Sequence, residues 1–249
     1  MSLLNKSALV TGACGGIGTG ICQEFLGNGV KNLALVDLNP PDPKLLSNWS
    51  EKYPEVVIKF YKVDVRISKE IQNSYNDFCK SIHQLDIVIN CAGVIDENSF
   101  SRAIDINLCG TIGSTYTALE YMNNGGTIVN IASVAGIHPL SIMPTYSASK
   151  HAVIAFTRAL AHREYPGIRL IALCPGGTDT PLIYQQYETP FFQKMDSEEV
   201  SEIMGALKFQ SVEIVAKAVL DVINKGINGS VWIIEQGKMT EHHSLPLRL

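Results

Sequence analysis

Short apolar runs alternate with longer segments whose apolar residues recur every three to four positions, and the alternation persists almost to the end of the chain. Runs at 7–10, 32–36, 56–63, 86–90, 126–131, 169–174 and 231–235 have strand length and are rich in Val, Ile, Leu and Ala. Between them lie helical patterns. Ile21, Phe25 and Leu26 form a stripe that ends at Asn28-Gly29, a natural C-cap. Residues 71–82 repeat the pattern, Ser99 or Ser101 opens a long helix through Met122, and 147–161 and 212–223 complete the set. Strand and helix in alternation predict an α/β fold, a parallel sheet wrapped by helices. Two stretches stand outside the pattern: an apolar loop at 134–145, and a Pro-interrupted segment bearing Leu182, Ile183, Tyr184, Tyr187, Phe191 and Phe192.

With 249 residues, 46% hydrophobic and 18% charged, the chain suits one large domain, without repeats, linkers or low-complexity segments. A net charge of −4 and the lack of Lys/Arg runs speak against nucleic acid or an anionic membrane as partner. No apolar stretch approaches membrane-spanning length, and the N-terminus has no secretory h-region, so a cytoplasmic protein is expected. Cysteines 14, 22, 79, 91, 109 and 174 lack metal or redox spacing and read as reduced thiols. His242-His243 are adjacent and seldom converge on one ion, so no metal is expected.

Candidate chemistry gathers at the ends of the predicted strands. Thr11-Gly12-Ala13-Cys14-Gly15-Gly16-Ile17-Gly18 joins the first strand to the first helix, where Gly12, Gly16, Ile17 and Gly18 would let backbone approach a pyrophosphate at the helix N-terminus. Asp37 ends the second strand, where a carboxylate accepts from adenosine ribose hydroxyls. Neither Gly15 nor Leu38 is basic, which favours NAD over NADP; the alternative is that Asp37 merely opens the turn at Asn39-Pro40-Pro41-Asp42-Pro43. Asp64-Val65 ends the third strand, as either a turn or a carboxylate for an adenine amino group. The small residues of Asn90-Cys91-Ala92-Gly93, and the turn Pro175-Gly176-Gly177-Thr178-Asp179-Thr180, would lie along a cofactor at the same sheet edge. Asn107 falls inside a predicted helix, where its amide competes for backbone groups; it is either solvated or functional.

Ser133 follows the fifth strand, and Tyr146-Ser147-Ala148-Ser149-Lys150 opens the next helix. At i and i+4, Tyr146 and Lys150 share one helix face, with Cβ atoms about 5–6 Å apart. A phenol of pKa about 10 is a poor base, and a fixed ammonium nearby lowers that value. The plain alternative is an amphipathic helix that happens to carry both residues.

Taken in order, Thr11-Gly12-x-x-x-Gly16-x-Gly18, Asp64, Asn90-x-Ala92-Gly93, Asn107, Ser133, Tyr146-x-x-x-Lys150 and Pro175-Gly176 resemble the short-chain dehydrogenase/reductase family over essentially the whole chain. Cys91 departs from it, standing where a second Asn is usual, and the stretch from Gly93 to Asn107 is about ten residues shorter than is common. That shortening, with Lys31-Asn32-Leu33, Phe60-Tyr61 and the tail around Trp232, is similar to insect-type alcohol dehydrogenases and, less closely, hydroxyprostaglandin dehydrogenases. The resemblance implies a Rossmann-type doubly wound fold with a seven-stranded parallel sheet and helices on both faces. It also implies roles: Tyr146 takes the alcohol proton, Ser133 holds the substrate oxygen, Lys150 binds the nicotinamide ribose and lowers the Tyr146 pKa, and Asn107 anchors a water.

Further expectations concern partners. The segment at 181–206 is read as a lid. Ile95, Ile137, Leu140, Ile142, Met143 and the segment from Leu182 to Phe192 surround the reacting carbon with few charges, so the substrate is an apolar, first of all secondary, alcohol or its carbonyl. Helices at 104–122 and 148–161, apolar on more than one face, imply a homodimer. The rival function is a catalytically silent nucleotide-binding or storage protein on the same fold.

Overall fold

A computed structural model of the chain describes residues 3–122, 125–163, 165–185, 190–206 and 208–243. Seven parallel strands, β1 (Ser7–Thr11), β2 (Asn32–Asp37), β3 (Val57–Lys62), β4 (Ile87–Asn90), β5 (Gly126–Ile131), β6 (Ile168–Pro175) and β7 (Val231–Glu235), lie in the order β3-β2-β1-β4-β5-β6-β7. An eighth, β8 (Lys238–Glu241), pairs antiparallel with β7 and corrects the expected count of seven. Gln236 and Gly237, at φ 50° and 75°, make the two-residue turn between them, the geometry that suits twisted hairpin strands. Its polar residues hide β8 from a search for apolar runs, and it covers what would be an open sheet edge.

Alternation within each strand sends side chains to two layers. Ala8, Val10, Leu33, Leu35, Ile89 and Val129 face α1 (Gly16–Gly27) and α10 (Val212–Lys225). Leu9, Ala34, Val36, Val88 and Ile128 face α3 (Ser68–Lys80), α5 (Thr111–Tyr121) and α6 (Pro144–Ala161). Burying a Leu, Ile or Val side chain is worth about 1.5–3 kcal/mol, so these layers hold the sheet.

Among the helices that escaped the sequence pattern, α2 (Pro43–Lys52) buries only Trp49. It starts at Pro43, with the Asp42 carboxylate accepting from the Lys44 N–H at 2.8 Å. The predicted long helix is three pieces, α4 (Phe100–Ile104), a π-helical turn Asp105–Gly110, and α5, and Ser99 makes no side-chain cap. The loop at 134–145 contains a 3₁₀ turn, Val134–Gly136, and yields to α6 at Pro144, whose fixed φ suits a first helical turn. Three short helices, α7 (Pro181–Gln185), α8 (Pro190–Gln193) and α9 (Ser197–Ala206), precede α10.

Winding reverses between β1 and β4, and in open α/β sheets ligands bind in the crevice outside the strand ends at that point. The loops after β1, β2, β4, β5 and β6 meet there. Beneath them a buried polar chain ties sheet to helices: the Asn90 amide donates to Asn130 (2.8 Å) and Thr115 (3.0 Å), and Asn130 donates to Thr157 (2.9 Å).

Candidate active site

The glycine loop is folded back on itself and on the β4 turn. Gly12 sits at φ +65°, and a Cβ there would come within 2.7 Å of the Ala92 backbone; one on Gly18 would lie 2.0 Å from the Gly12 carbonyl. No other residue fits at these positions without moving the backbone. No side chain caps α1, so its first-turn N–H groups lack that partner, the arrangement that suits an anion. From across the crevice, Thr180 reaches the loop: a Cβ on Gly16 would lie 2.6 Å from its Cγ2. Ile17, in the first turn of α1, is partly buried against the core.

Asp37 opens the turn, as one reading of the sequence has it, and also ties that turn to the glycine loop. One carboxylate oxygen accepts from Asn39 N–H (3.0 Å), the turn, and the other from Cys14 N–H (2.9 Å), in the glycine loop. Asp64 is engaged by Arg66 through both its guanidinium and its backbone N–H, which holds the carboxyl below its ordinary value. Val65 packs against Gly110 in the π turn. Asn90 is 1% exposed with its amide turned into the polar chain below the sheet, so only its backbone remains for the crevice. Next to it, Thr11 Oγ1 accepts from Cys91 N–H (3.2 Å) and Ala92 N–H (3.3 Å), pinning the β4 turn to β1. Pro175 ends β6, a Cβ on Gly176 would strike Glu235, and the Thr178 hydroxyl bonds back to the Gly176 carbonyl.

Asn107 is fully buried. Its Oδ1 accepts from Val94 N–H (2.8 Å), and its Nδ2 donates to Val94 O (2.9 Å) and Ser149 Oγ (3.0 Å). The amide is therefore a clamp between the turn after β4 and α6. Ser149, which the sequence reading missed although it lies between Tyr146 and Lys150, passes the bond on to the Tyr146 carbonyl (2.7 Å). A Cβ on Gly93 would come 3.3 Å from Asn107 Oδ1 and 3.4 Å from Lys150 Nζ. Glycine there keeps the space between them open.

Lys150 is 4% exposed and donates to the Ile131 carbonyl at 2.9 Å. Ser133, two residues past the end of β5, caps the 3₁₀ turn through Ala135 N–H and lies near enough to the Tyr146 phenol to lower its pKa. The expected direction of the Tyr146 shift is reversed: burial pushes the phenol up to about 12, with nearby Ser133 the one opposing influence. Burial also takes the Lys150 ammonium down to about 8, partly offset by the Cys91 and Cys174 thiols. Desolvation of the charged form dominates both shifts.

An apolar cluster flanks Tyr146. Ile142, Met143 and Phe192 are buried, with Ile95, Leu140, Phe191, Met195, Val200 and Ile203 packed around them. Ile137 departs from expectation and packs instead beside Val153 and Ile154. Tyr184 is exposed and donates to Asp179 (2.9 Å); Tyr187 lies outside the described residues. Among the described residues no helix is long and apolar enough to cross a membrane, and no group of three or more His, Cys, Asp or Glu could hold a metal ion.

A doubly wound sheet with a glycine loop after β1, and Ser, Tyr and Lys converging at its C-terminal edge, defines a nucleotide-fold oxidoreductase. The family model of the short chain dehydrogenases matches residues 6–190, and the chain belongs to that family. It is 33% identical to the NAD(+)-type 15-hydroxyprostaglandin dehydrogenase of Mus musculus, over 96% of this chain and 93% of that one. Alcohol dehydrogenase 1 of Ceratitis capitata is 31% identical, over 97% and 96%. A short chain dehydrogenase from Mycobacterium paratuberculosis, solved bound to NAD, superposes with a TM-score of 0.79 at 24% identity, over 95% of this chain and 98% of that one.

Proposed function

We propose that the protein is an NAD-dependent dehydrogenase/reductase that interconverts an apolar, first of all secondary, alcohol and its carbonyl compound. The observation that carries this reading is Lys150 Nζ 5.6 Å from the Tyr146 ring centre on one face of α6, with Gly93 beside the ammonium and Ser133 near enough to the phenol to lower its pKa. NAD supplies the hydride acceptor. Gly12, Gly16, Ile17 and Gly18 would hold its pyrophosphate, Asp37 its adenosine ribose, Asp64 and Val65 the adenine. The backbone of Asn90, Ala92 and Gly93, the turn with Pro175, Gly176, Thr178 and Thr180, and Lys150 would hold the nicotinamide half. The close approaches at Gly16, facing Thr180, and at Gly93, facing Asn107 and Lys150, fit such a guest, because side chains there would narrow the space between these elements.

Tyr146 takes the alcohol proton as phenolate, and Ser133, near the phenol, holds the substrate oxygen in reach. Lys150 supplies the positive charge that favours phenolate, provided it stays protonated. Since the Asn107 side chain and carbonyl are both engaged by protein partners, a water in the relay would be held by Lys150. The apolar cluster beside Tyr146 supports an apolar substrate, and the segment at 181–206 serves as its lid.

Two wider features belong to the same reading. Six free cysteines favour a reducing, cytoplasmic setting. Exposed Tyr116 on α5, edge-on to Phe156 on α6 at 5.8 Å, marks a surface suited to a second copy in a homodimer.

The test is NADH formation across a panel of primary, secondary, terpenoid, steroid and prostanoid alcohols, with Tyr146→Phe alongside. Wild type should turn over at least one apolar secondary alcohol. Tyr146→Phe should lose about 10²–10⁴-fold in rate while still binding NAD. A variant that keeps more than about a tenth of wild-type turnover would remove Tyr146 from the mechanism.

A further inference from the structure

Tyr146 stands in the first turn of α6, where backbone N–H groups have no intrahelical acceptor. The residue that should cap them is Met143, which has no side-chain acceptor. The cap comes from a distant loop instead. Thr145 N–H donates to Glu97 Oε2 at 2.9 Å and Tyr146 N–H to Glu97 Oε1 at 2.8 Å, a separation of 49 residues for the second. Bonds to an ionised acceptor are about twice as strong as neutral ones, and a carboxylate at a helix N-terminus is further favoured by the helix dipole.

The loop that carries Glu97 is itself held on every side. Asn107 grips Val94 by both N–H and carbonyl, Asp96 pairs with Arg102 at 2.8 Å and accepts from Ser99 N–H. Asn98, the next residue, accepts from the backbone N–H of Phe191 in α8 at 3.0 Å. Phe191 in turn packs in the apolar cluster that includes Tyr146. One short loop thus touches the β4 turn, the segment over the pocket and the helix start that carries the phenol.

We propose that Glu97 is a positioning residue for Tyr146. By taking both N–H groups it sets the rotation and height of the first turn of α6, and so keeps the phenol in reach of Ser133 and of the reacting oxygen. The inference rests on the proposed function, in which Tyr146 moves the proton. A displacement of about 1 Å at a reacting group can cost about 100-fold in rate, so a cap that is modest for stability has a large effect on turnover.

The experiment compares wild type, Glu97→Ala, Glu97→Gln and Tyr146→Phe in three measurements: steady-state oxidation of a secondary alcohol, NAD affinity by calorimetry, and hydrogen exchange of the peptide spanning 143–150. Glu97→Ala should lower kcat by about tenfold or more, leave the NAD Kd within about twofold, and speed exchange at Thr145 and Tyr146. Glu97→Gln keeps one acceptor oxygen and should recover part of kcat. The proposal is overturned if Glu97→Ala keeps kcat within about twofold of wild type. It is equally overturned if kcat and NAD affinity fall together with Gln no better than Ala, the mark of a general loss of structure. Turnover by Tyr146→Phe would overturn the proposed function and the positioning role with it. An inactive Tyr146→Phe beside a normal Glu97→Ala overturns the positioning role alone.

Discussion

The Lys150 ammonium lies 5.6 Å from the centre of the Tyr146 ring, and burial drives their titrations apart, the phenol up to about 12 and the ammonium down to about 8. In the ligand-free chain near neutral pH the phenol is therefore firmly protonated, beside an ammonium that begins to lose its charge not far above.

This has a consequence for stability against pH. Lys150 has a folded pKa below its ordinary 10.5. Between about pH 8 and 10.5 the unfolded chain binds more protons there, so this site's contribution rises with pH. Cys22, Cys174 and Tyr75 run the other way. All three are buried, with pKa values raised by burial, so their contribution is complete below the unfolded values of 9.0 for the thiols and 10.0 for the phenol and is lost above them. Each such group changes stability by up to about 1.4 kcal/mol per pH unit. The melting midpoint of the free protein should hold or rise slightly from pH 8 to 9, then fall, and less steeply in Cys174→Ala. Circular dichroism melts from pH 7.5 to 10.5 check this, and a flat midpoint above pH 9 would contradict it.

Cofactor choice should rest on the Asp37 charge. Asp37→Asn keeps an oxygen acceptor for Cys14 N–H, bonded at 2.9 Å in the native chain, but removes the repulsion that a 2′-phosphate would meet. Wild type should prefer NAD, and the variant should lose about tenfold or more of that preference. The ratio of kcat/KM with NAD and NADP measures it. Equal use of both by wild type would mean that Asp37 serves only the glycine loop and its turn.

Pocket chemistry should appear in a homologous series of secondary alcohols at saturating NAD. Each methylene buried against the cluster around Phe192 and Met143 is worth about 0.8 kcal/mol, or roughly fourfold in kcat/KM, until the pocket is full. Flat or falling efficiency with length, or preference for an anionic alcohol, would show that this cluster only seats α8 and α9.

Assembly is checked by light scattering, which should return twice the 27.2 kDa chain mass at micromolar concentration. Tyr116→Glu, placing a charge beside Phe156 on the outer helix face, should shift the population toward single chains. A monomeric wild type would refute the homodimer.

What could be read from the sequence followed burial. β4 and β5 are buried along almost their whole length and announce themselves as apolar runs, and the glycines are legible because backbone contacts as close as 2.0 Å at Gly18 exclude other residues. α2 was hidden because it buries one side chain and follows a Pro-rich turn. Ile137 shows the limit of composition: an apolar residue in a loop announces burial, and not the side of α6 on which it is buried. Glu97 left no local trace, since its partners lie 48 and 49 residues away, and the Asn107 clamp was legible only as an Asn out of place. The reversed Tyr146 shift was unreadable because helical spacing gives the distance to Lys150 and says nothing of how far the surrounding protein desolvates the phenol.

The π turn Asp105–Gly110 has a consequence for how this chain tolerates change. Such a turn holds one residue more than the α-helix on either side, about 100° of helical rotation. The Thr111 hydroxyl bonds the Asn107 carbonyl at 2.8 Å, supplying a donor inside the widened turn. It puts Asn107 on the buried side while Cys109 faces outward. A single-codon deletion inside 105–110 would therefore be far more damaging than most single substitutions there, because it would swing α4 and its loop about the axis and pull Val94 from Asn107 and Glu97 from the start of α6 together. Phylogenetic drift in this stretch should accordingly keep its length while its outward letters vary.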